Sequence, residues 1–426
     1  MAKIARPRVA TKERLDVSSF PEEVSVALHE VAASAREGLL ALSVATGLSV
    51  MSAIFESDVK RIVGPKGKHD PERTAHRHGT EDAHVVLGGR QVPVDKPRVR
   101  SLQGHEIKLP SYRHFADTDM LSDIALGRML AGLSTRRYDA GAEPIGDIPT
   151  RGTSRSAVSR RFVAGTSAKL AEVFGRDLSE LDLLAIFIDG IGVGDHMIVV
   201  ALGVDRAGIK HPLGLWEGTS ENKTVCKALL GNLIDRGLDP ERPVLFVIDG
   251  GKGIRSAIKA VYAGLAPIQR CRAHKERNVT DHLPKSERLF LARKLRAAWA
   301  NPDADTAERE LRAIARHLAD THPGAAASML EGLEETLTVT RMGLPPSLLR
   351  TFKSTNPIES MISIARDSHR TVKRWRDGKM AMRWIAAGML EAEKQFRKVN
   401  GYRDLHVLER ALERQREVIQ QAKLVA

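Results

Sequence analysis

The chain has little cysteine and no long apolar run. Its 426 residues include only two cysteines, Cys226 and Cys271. That excludes a disulfide scaffold and fits a reducing compartment. No apolar stretch approaches the roughly 20 residues of a membrane span. The N-terminal "MAKIARPRVATKERLDVSSF" is basic but lacks the apolar centre of a secretory signal. These absences predict a cytoplasmic protein with no membrane partner. No internal repeat is visible. "GGKG" at 250–253 misses the GxxxxGK[ST] spacing of a phosphate loop.

Positive charge is abundant. Lys and Arg total 66 against 53 Asp and Glu, a net charge of +13. With 42% hydrophobic residues the chain can bury a large core and is not of the disordered class. A basic balance of this size points to a polyanion, and nucleic acid is the commonest. The length allows two or three domains.

Residues 1–62 read as a basic arm followed by two helices joined near Gly47. Residues 63–115 read as a small basic hairpin, "VVLGGRQVPVDKPRVRS", turning at Gly-Gly. His69, His76, His78 and His84 lie around it. No Cys is nearby and no zinc spacing is met, so they read as solvated loop histidines. Residues 116–178 are helical on either side of a Pro/Gly turn. Ser154 can cap the second helix, whose first turns carry Arg155, Ser156, Ser159, Arg160 and Arg161. This suits a helix–turn–helix entering the major groove; an ordinary basic helical hairpin has the same pattern.

Residues 179–274 read β-β-β-α-β-α-β, the element order of a ribonuclease H-like fold. Residues 275–350 carry only helical patterns and read as an insertion. Residues 351–426 return with the helices "TNPIESMISIARDSH" and "GKMAMRWIAAGMLEAEKQFRKV". The expected class is α/β: a ribonuclease H-like mixed sheet core with an all-α insertion, behind a mainly helical N-terminal DNA-binding region.

Two strands end alike, "LLAIFIDGI" at 183–191 and "VLFVIDGGKG" at 244–253. Reactive groups in α/β sheets sit beyond strand ends. In this element order the two strands are neighbours, so Asp189 and Asp249 would meet. Paired carboxylates repel unless a cation separates them, and hard oxygens suit Mg²⁺. Asp-Gly is also a common turn, which leaves a purely local reading open. The Gly after each Asp would let a nucleic-acid backbone come close. A third carboxylate, Glu359, starts the helix after the insertion. It is also placed for a capping box behind Asn356 and Pro357, and local rules do not choose. Ser363, Arg366 and Arg370 share its helix face, where basic groups would hold DNA phosphates.

The segments "IDGIGVGDHMIVVALGVD", "HPLGLWEGTSENKTVCKALL", "FVIDGGKGIRSAIKAVY", "IQRCRAHKERNV", "STNPIESM" and "VKRWRDG" resemble bacterial insertion-sequence transposases of the Mutator type. The resemblance runs from about residue 75 to 410. It implies a DDE active site with Asp189, Asp249 and Glu359 as the carboxylates. It also implies two Mg²⁺ ions, with Mn²⁺ as substitute. The family's C-x-x-H motif falls on Cys271 and His274 near the active site, with His274 beside the metals or DNA and Cys271 as a packed end of the fifth strand. Lys373 and Arg374, with Arg366 and Arg370, would contact DNA. The implied partners are double-stranded DNA, as terminal inverted repeats and target, and a second copy in a homodimer. The implied location is bacterial and nucleoid-associated. Trp299 and Trp375 read as core residues or as stacking platforms for an unpaired base. The rival readings are a catalytically silent DNA-binding regulator of the same fold and a general ribonuclease H-like nuclease.

Overall fold

The computed structural model describes residues 45–68, 72–87, 90–117, 126–127, 129–130, 155–218, 222–263 and 265–425. The chain divides into two compact units, Met1–Ala125 with Arg136–Val158 and Leu126–Thr135 with Ser159–Ala426.

The first unit is built on a helix, α1, residues 45–63. Met51, Phe55, Val59 and Val63 recur every fourth residue and form one buried stripe. The stripe shares a core with Val85, Val92 and Val99 of an antiparallel sheet. That sheet comprises β1 (Ala75–Leu87), β2 (Arg90–Ser101) and β3 (Glu106–Ile107). Pairing of Leu87 with Arg90 leaves two residues for the turn, as Gly-Gly predicts. Helix α2 (Pro110–Asp117) sets Tyr112 and Phe115 edge-on to Phe55, each at 5.9 Å.

Helix α1 is described from residue 45, and the segment expected to meet it near Gly47 lies outside the described residues. Beside its helices the described N-terminal region carries a three-stranded sheet, whose hairpin reaches back to Ala75 through a bulge at Gly79. His76, His78 and His84 therefore stand on β1 rather than in a loop. His69, the arm at 1–20, residues 21–44, the turn of the helix–turn–helix reading and its supporting helix apart from 126–127 and 129–130 lie outside the described residues.

Helix α3 (Arg155–Gly175) enters the second unit at Ser159. Phe162 packs on Trp384 at 4.4 Å, and Val173 is fully buried. The unit centres on a mixed five-stranded sheet of β4 (Leu183–Val193), β5 (His196–Asp205), β6 (Lys210–Gly218), β7 (Leu245–Ile248) and β8 (Ile268–Arg270). The spatial order is β6-β5-β4-β7-β8. The first three strands are antiparallel neighbours; β7 runs parallel to β4, and β8 parallel to β7. Apolar runs such as "LLAIFI" and "LFVI" suit strands covered on both faces.

One face carries α4 (Lys223–Asp235) and α5 (Lys252–Val261), packed on Ile186, Ile188, Phe246 and Ile248. The chain from β8 to residue 352 is then helical throughout: α6 (Arg272–Thr280), α7 (Lys285–Trp299), α8 (Ala304–Ala319), α9 (Pro323–Leu330), a 3₁₀ turn (Glu334–Leu337), α10 (Thr338–Arg341) and α11 (Pro346–Phe352). Leu295, Trp299, Leu311, Met329 and Leu337 give this block its own core. The other sheet face carries α12 (Asn356–His369), α13 (Gly378–Glu393) and α14 (Leu405–Val425).

Buried cations tie the helical block to the sheet. Arg270 donates to the Glu331 carbonyl at 2.7 Å. Arg272 donates to the carbonyls of Thr336 and Trp299, both at 2.9 Å, and to the Thr340 hydroxyl at 2.6 Å. Lys275 donates to the carbonyls of Ser328 and Glu331. Among the described residues, no helix is long and apolar enough to cross a membrane.

Candidate active site

Strand alternation delivers the first two carboxylates. Phe187 and Ile191 of β4 and Val247 of β7 face the side covered by α12. Successive side chains alternate, so Asp189 and Asp249 face that side too. The parallel register pairs Ile188 with Ile248, which sets the next residues, Asp189 and Asp249, abreast.

The two strands do not end alike. β7 stops at Ile248, whereas β4 runs on through Asp189, paired with Val200, to Val193. Ile191 and Val193 remain buried and keep the β4–β5 hairpin together beyond the carboxylate. The glycine after Asp249 also has a local cause. Gly250 has φ +110°, and a Cβ there would overlap the Arg270 side chain. Its lack of a side chain meets the demands of this backbone and of Arg270.

Asp189 Oδ1 accepts from the Gly190 N–H at 2.8 Å, and Asp249 Oδ1 from the Gly251 N–H at 2.8 Å. Burial pushes the Asp189 carboxyl up to about 6, and the charge of Asp249 adds to this; Glu359 pushes the same way and His274 opposes. All four groups therefore share one electrostatic site.

Helix α12 brings Glu359 by packing Ile358, Met361, Ile362 and Ala365 onto the sheet. The capping-box reading of Glu359 does not hold. The cap is Thr355, one residue earlier than expected, and Asn356 and Pro357 are the first helical residues. The Thr355 N–H donates to Cys271 Sγ at 3.4 Å, not to Glu359. Instead the Thr355 hydroxyl donates to Glu359 Oε1 at 2.6 Å.

Cys271 and His274 complete the wall. Cys271 follows β8, donates its N–H to the Ile248 carbonyl at 2.7 Å and caps α6 with its sulfur, which accepts from the His274 N–H at 3.5 Å. Burial alone would raise the Cys271 thiol, but hydrogen bonds from His274 and Thr355 hold it below its usual value. His274 is pushed up to about 9, first by its hydrogen bond to Cys271, then by the charges of Cys271, Asp189 and Glu359. The ring is then an imidazolium at neutral pH. Its Nδ1 lies 3.3 Å from Thr355 Oγ1 and 3.7 Å from Glu359 Oε1. The ligand atoms of Cys271, His274 and Glu359 all fall within 4.8 Å of one another. Sequence patterns alone do not single out Thr355. Its place before Asn-Pro at a helix start is the available signal.

Ser363 and Arg366 are exposed on α12, Arg370 is exposed at its C-cap, and Lys373 and Arg374 are exposed just beyond it. None of these four cations pairs with a carboxylate among the described residues. Arg155, Ser156, Arg160 and Arg161 fall on the first turns of α3, where Ser156 and Arg160 are exposed. No described contact joins them to the carboxylates. Trp299 is a core residue, its Nε1 donating to Thr336 Oγ1 at 3.0 Å. Trp375 packs edge-on to His369 at 5.1 Å and lies over Gly194 in the β4–β5 turn.

A family model described as "Transposase, Mutator family" matches residues 22–399. The chain is 26% identical over 360 residues to the transposase for insertion sequence element ISRM5 of Rhizobium meliloti, covering 83% of this chain and 88% of that one. It is 29% identical over 203 residues to the transposase for IS6120 of Mycolicibacterium smegmatis, covering 46% and 61%. It is 26% identical over 348 residues to the transposase for IS406 of Burkholderia multivorans, covering 78% and 86%.

Proposed function

This chain belongs to the Mutator family of transposases, and from that premise we propose that Asp189, Asp249 and Glu359 form the DDE reaction centre of a ribonuclease H-like core. The observation that carries the reading is the in-register pair Asp189 and Asp249, facing the helix that bears Glu359. Burial and a carboxylate neighbour raise the Asp189 carboxyl to about 6, and a cation between the carboxylates would relieve that repulsion. The oxygens suit Mg²⁺, with Mn²⁺ as substitute. Two bound ions would activate the attacking oxygen and stabilise the leaving one in phosphodiester chemistry.

The chain's own residues supply position and charge. Asp189 is held by the sheet and Asp249 by its turn. Glu359 is oriented by Thr355. The imidazolium of His274 keeps one positive charge beside three carboxylates and can steady a phosphate. Arg366, Arg370, Lys373 and Arg374 would hold the flanking DNA backbone. Arg155, Ser156, Arg160 and Arg161, with the rest of the N-terminal region, would read the terminal inverted repeats. The product of the first cut is a 3′-OH, which then attacks a target phosphodiester. Two chains would bring two ends together as a homodimer. The division of labour follows the six stretches: arm and helices 1–62, hairpin 63–115, DNA-reading helices 116–178, core 179–274, insertion 275–350 and closing helices 351–426.

The test is incubation of the protein with the DNA ends of its own element, with Mg²⁺ and with chelator. Mg²⁺-dependent nicking and joining are expected from the wild type. Asp249→Ala should keep end binding and lose both reactions. Full cleavage by that variant would overturn the assignment. Binding without nicking by the wild type would favour a silent regulator. Cutting without preference for the ends would favour a general nuclease.

A further inference from the structure

A cavity of about 570 Å³ opens beside α6. It is lined by Arg272, Glu276, Arg277, Arg296, Trp299 and Lys353, among others. Its charge is one-sided. Glu276 is the carboxylate in the lining, and Arg296 grips it with both arms of its guanidinium, at 2.7 and 2.5 Å. Three cations are left over. Arg277 and Lys353 are exposed and pair with no carboxylate among the described residues. Arg272 is only 8% exposed; its donors are filled by carbonyls and a hydroxyl, and no carboxylate balances its charge among the described residues. A buried guanidinium without a counter-charge is costly, and an anion in the cavity would offset that cost.

The cavity is joined to the reaction centre through the chain. Arg277 lies one helical turn beyond His274 on α6. Lys353 lies two residues before Thr355, and its carbonyl accepts from the Arg272 N–H at 2.9 Å. A polyanion entering the cavity therefore passes next to the elements that carry His274 and Glu359.

We propose that this cavity receives backbone phosphate of the DNA strand that continues from the bond presented to Asp189, Asp249 and Glu359. The proposal rests on the DNA reaction put forward above. Arg277 and Lys353 supply the direct contacts, and Arg272 supplies a fixed positive field from the floor. A guanidinium fork and a mobile ammonium together suit a phosphodiester.

The test maps phosphate-ethylation interference on end DNA bound by the full-length protein in chelator. Removing divalent metal makes the outcome independent of whether the three carboxylates are catalytic. In the wild type, ethylation next to the cleaved position is expected to block binding. In Arg277→Gln/Lys353→Gln those positions should fall silent while the rest of the footprint persists. The slope of log K against log salt should drop by about 0.9 for each phosphate that is no longer neutralised. Arg277→Lys and Lys353→Arg should keep both signals, and melting curves check that each variant folds. An unchanged interference pattern or an unchanged slope overturns the proposal. So does displacement of the DNA by inorganic phosphate at low concentration, which would mark a site for the free anion.

Discussion

The Thr355 hydroxyl donates to Glu359 Oε1 at 2.6 Å while sitting 3.3 Å from His274 Nδ1. One oxygen thus orients both the carboxylate and the imidazolium. The hydroxyl has a single proton, so donating it to Glu359 leaves its lone pairs for the imidazolium N–H.

Replacing Thr355 with Val keeps the shape and removes the hydroxyl. A hydrogen bond to a charged group contributes about 1.5–3 kcal/mol. Thr355→Val is therefore expected to need roughly tenfold more Mg²⁺ for half-maximal cleavage, and to bind Mn²⁺ correspondingly more weakly by calorimetry. Thr355→Ser should restore both. Equal Mn²⁺ binding by Val and wild type would limit Thr355 to a structural role.

Asp189 sets a pH dependence. Its carboxyl rises from 3.8 to about 6 on folding. The folded state then binds more protons than the unfolded state between those values, so stability falls as pH rises through them. In metal-free protein, melting temperature should carry this decline, and Asp189→Asn should flatten it. Mg²⁺ favours the ionised form, so its stabilising effect should grow from pH 5 to 7. A Mg²⁺ effect that is constant with pH would contradict the shared site.

Gly250 is expected to be intolerant. Its φ of +110° is strained for any side chain, and Cβ would overlap Arg270. Gly250→Ala should cost at least about 1–3 kcal/mol. Denaturant melts should show this whether or not DNA is present. A neutral substitution would mean that the turn can rebuild around Arg270.

Charge removal on α12 tests a different surface. Arg366→Gln/Arg370→Gln should weaken DNA binding and reduce its salt slope by about 0.9 for each phosphate these side chains neutralise. An unchanged slope returns this face to solvent.

The sheet order and the two aspartates were legible because the signal is local: apolar runs of strand length closing on Asp-Gly. The adjacency of β4 and β7 followed from element order. Glu359 was visible as a candidate, yet its role stayed ambiguous between cap and carboxylate. The structure removes the cap reading through a contact spanning 84 residues, from the Thr355 N–H to Cys271 Sγ. Patterns of neighbouring residues cannot reveal such a bond. Continuation of β4 past Asp189 was hidden for a related reason: Gly190 and Gly192 look like a turn, and only pairing with β5 keeps them extended. The N-terminal sheet was underestimated because Gly79 interrupts β1. It lies where the register shifts between Arg77 and Thr80, a bulge rather than an end.

The three cations at the β8–α6 junction have a mechanical consequence. Arg270, Arg272 and Lys275 grip carbonyls across the helical block, and the same short stretch holds Cys271 and His274. The stretch that fastens the helical block to the sheet is therefore also the stretch that sets the His274 ring opposite Glu359.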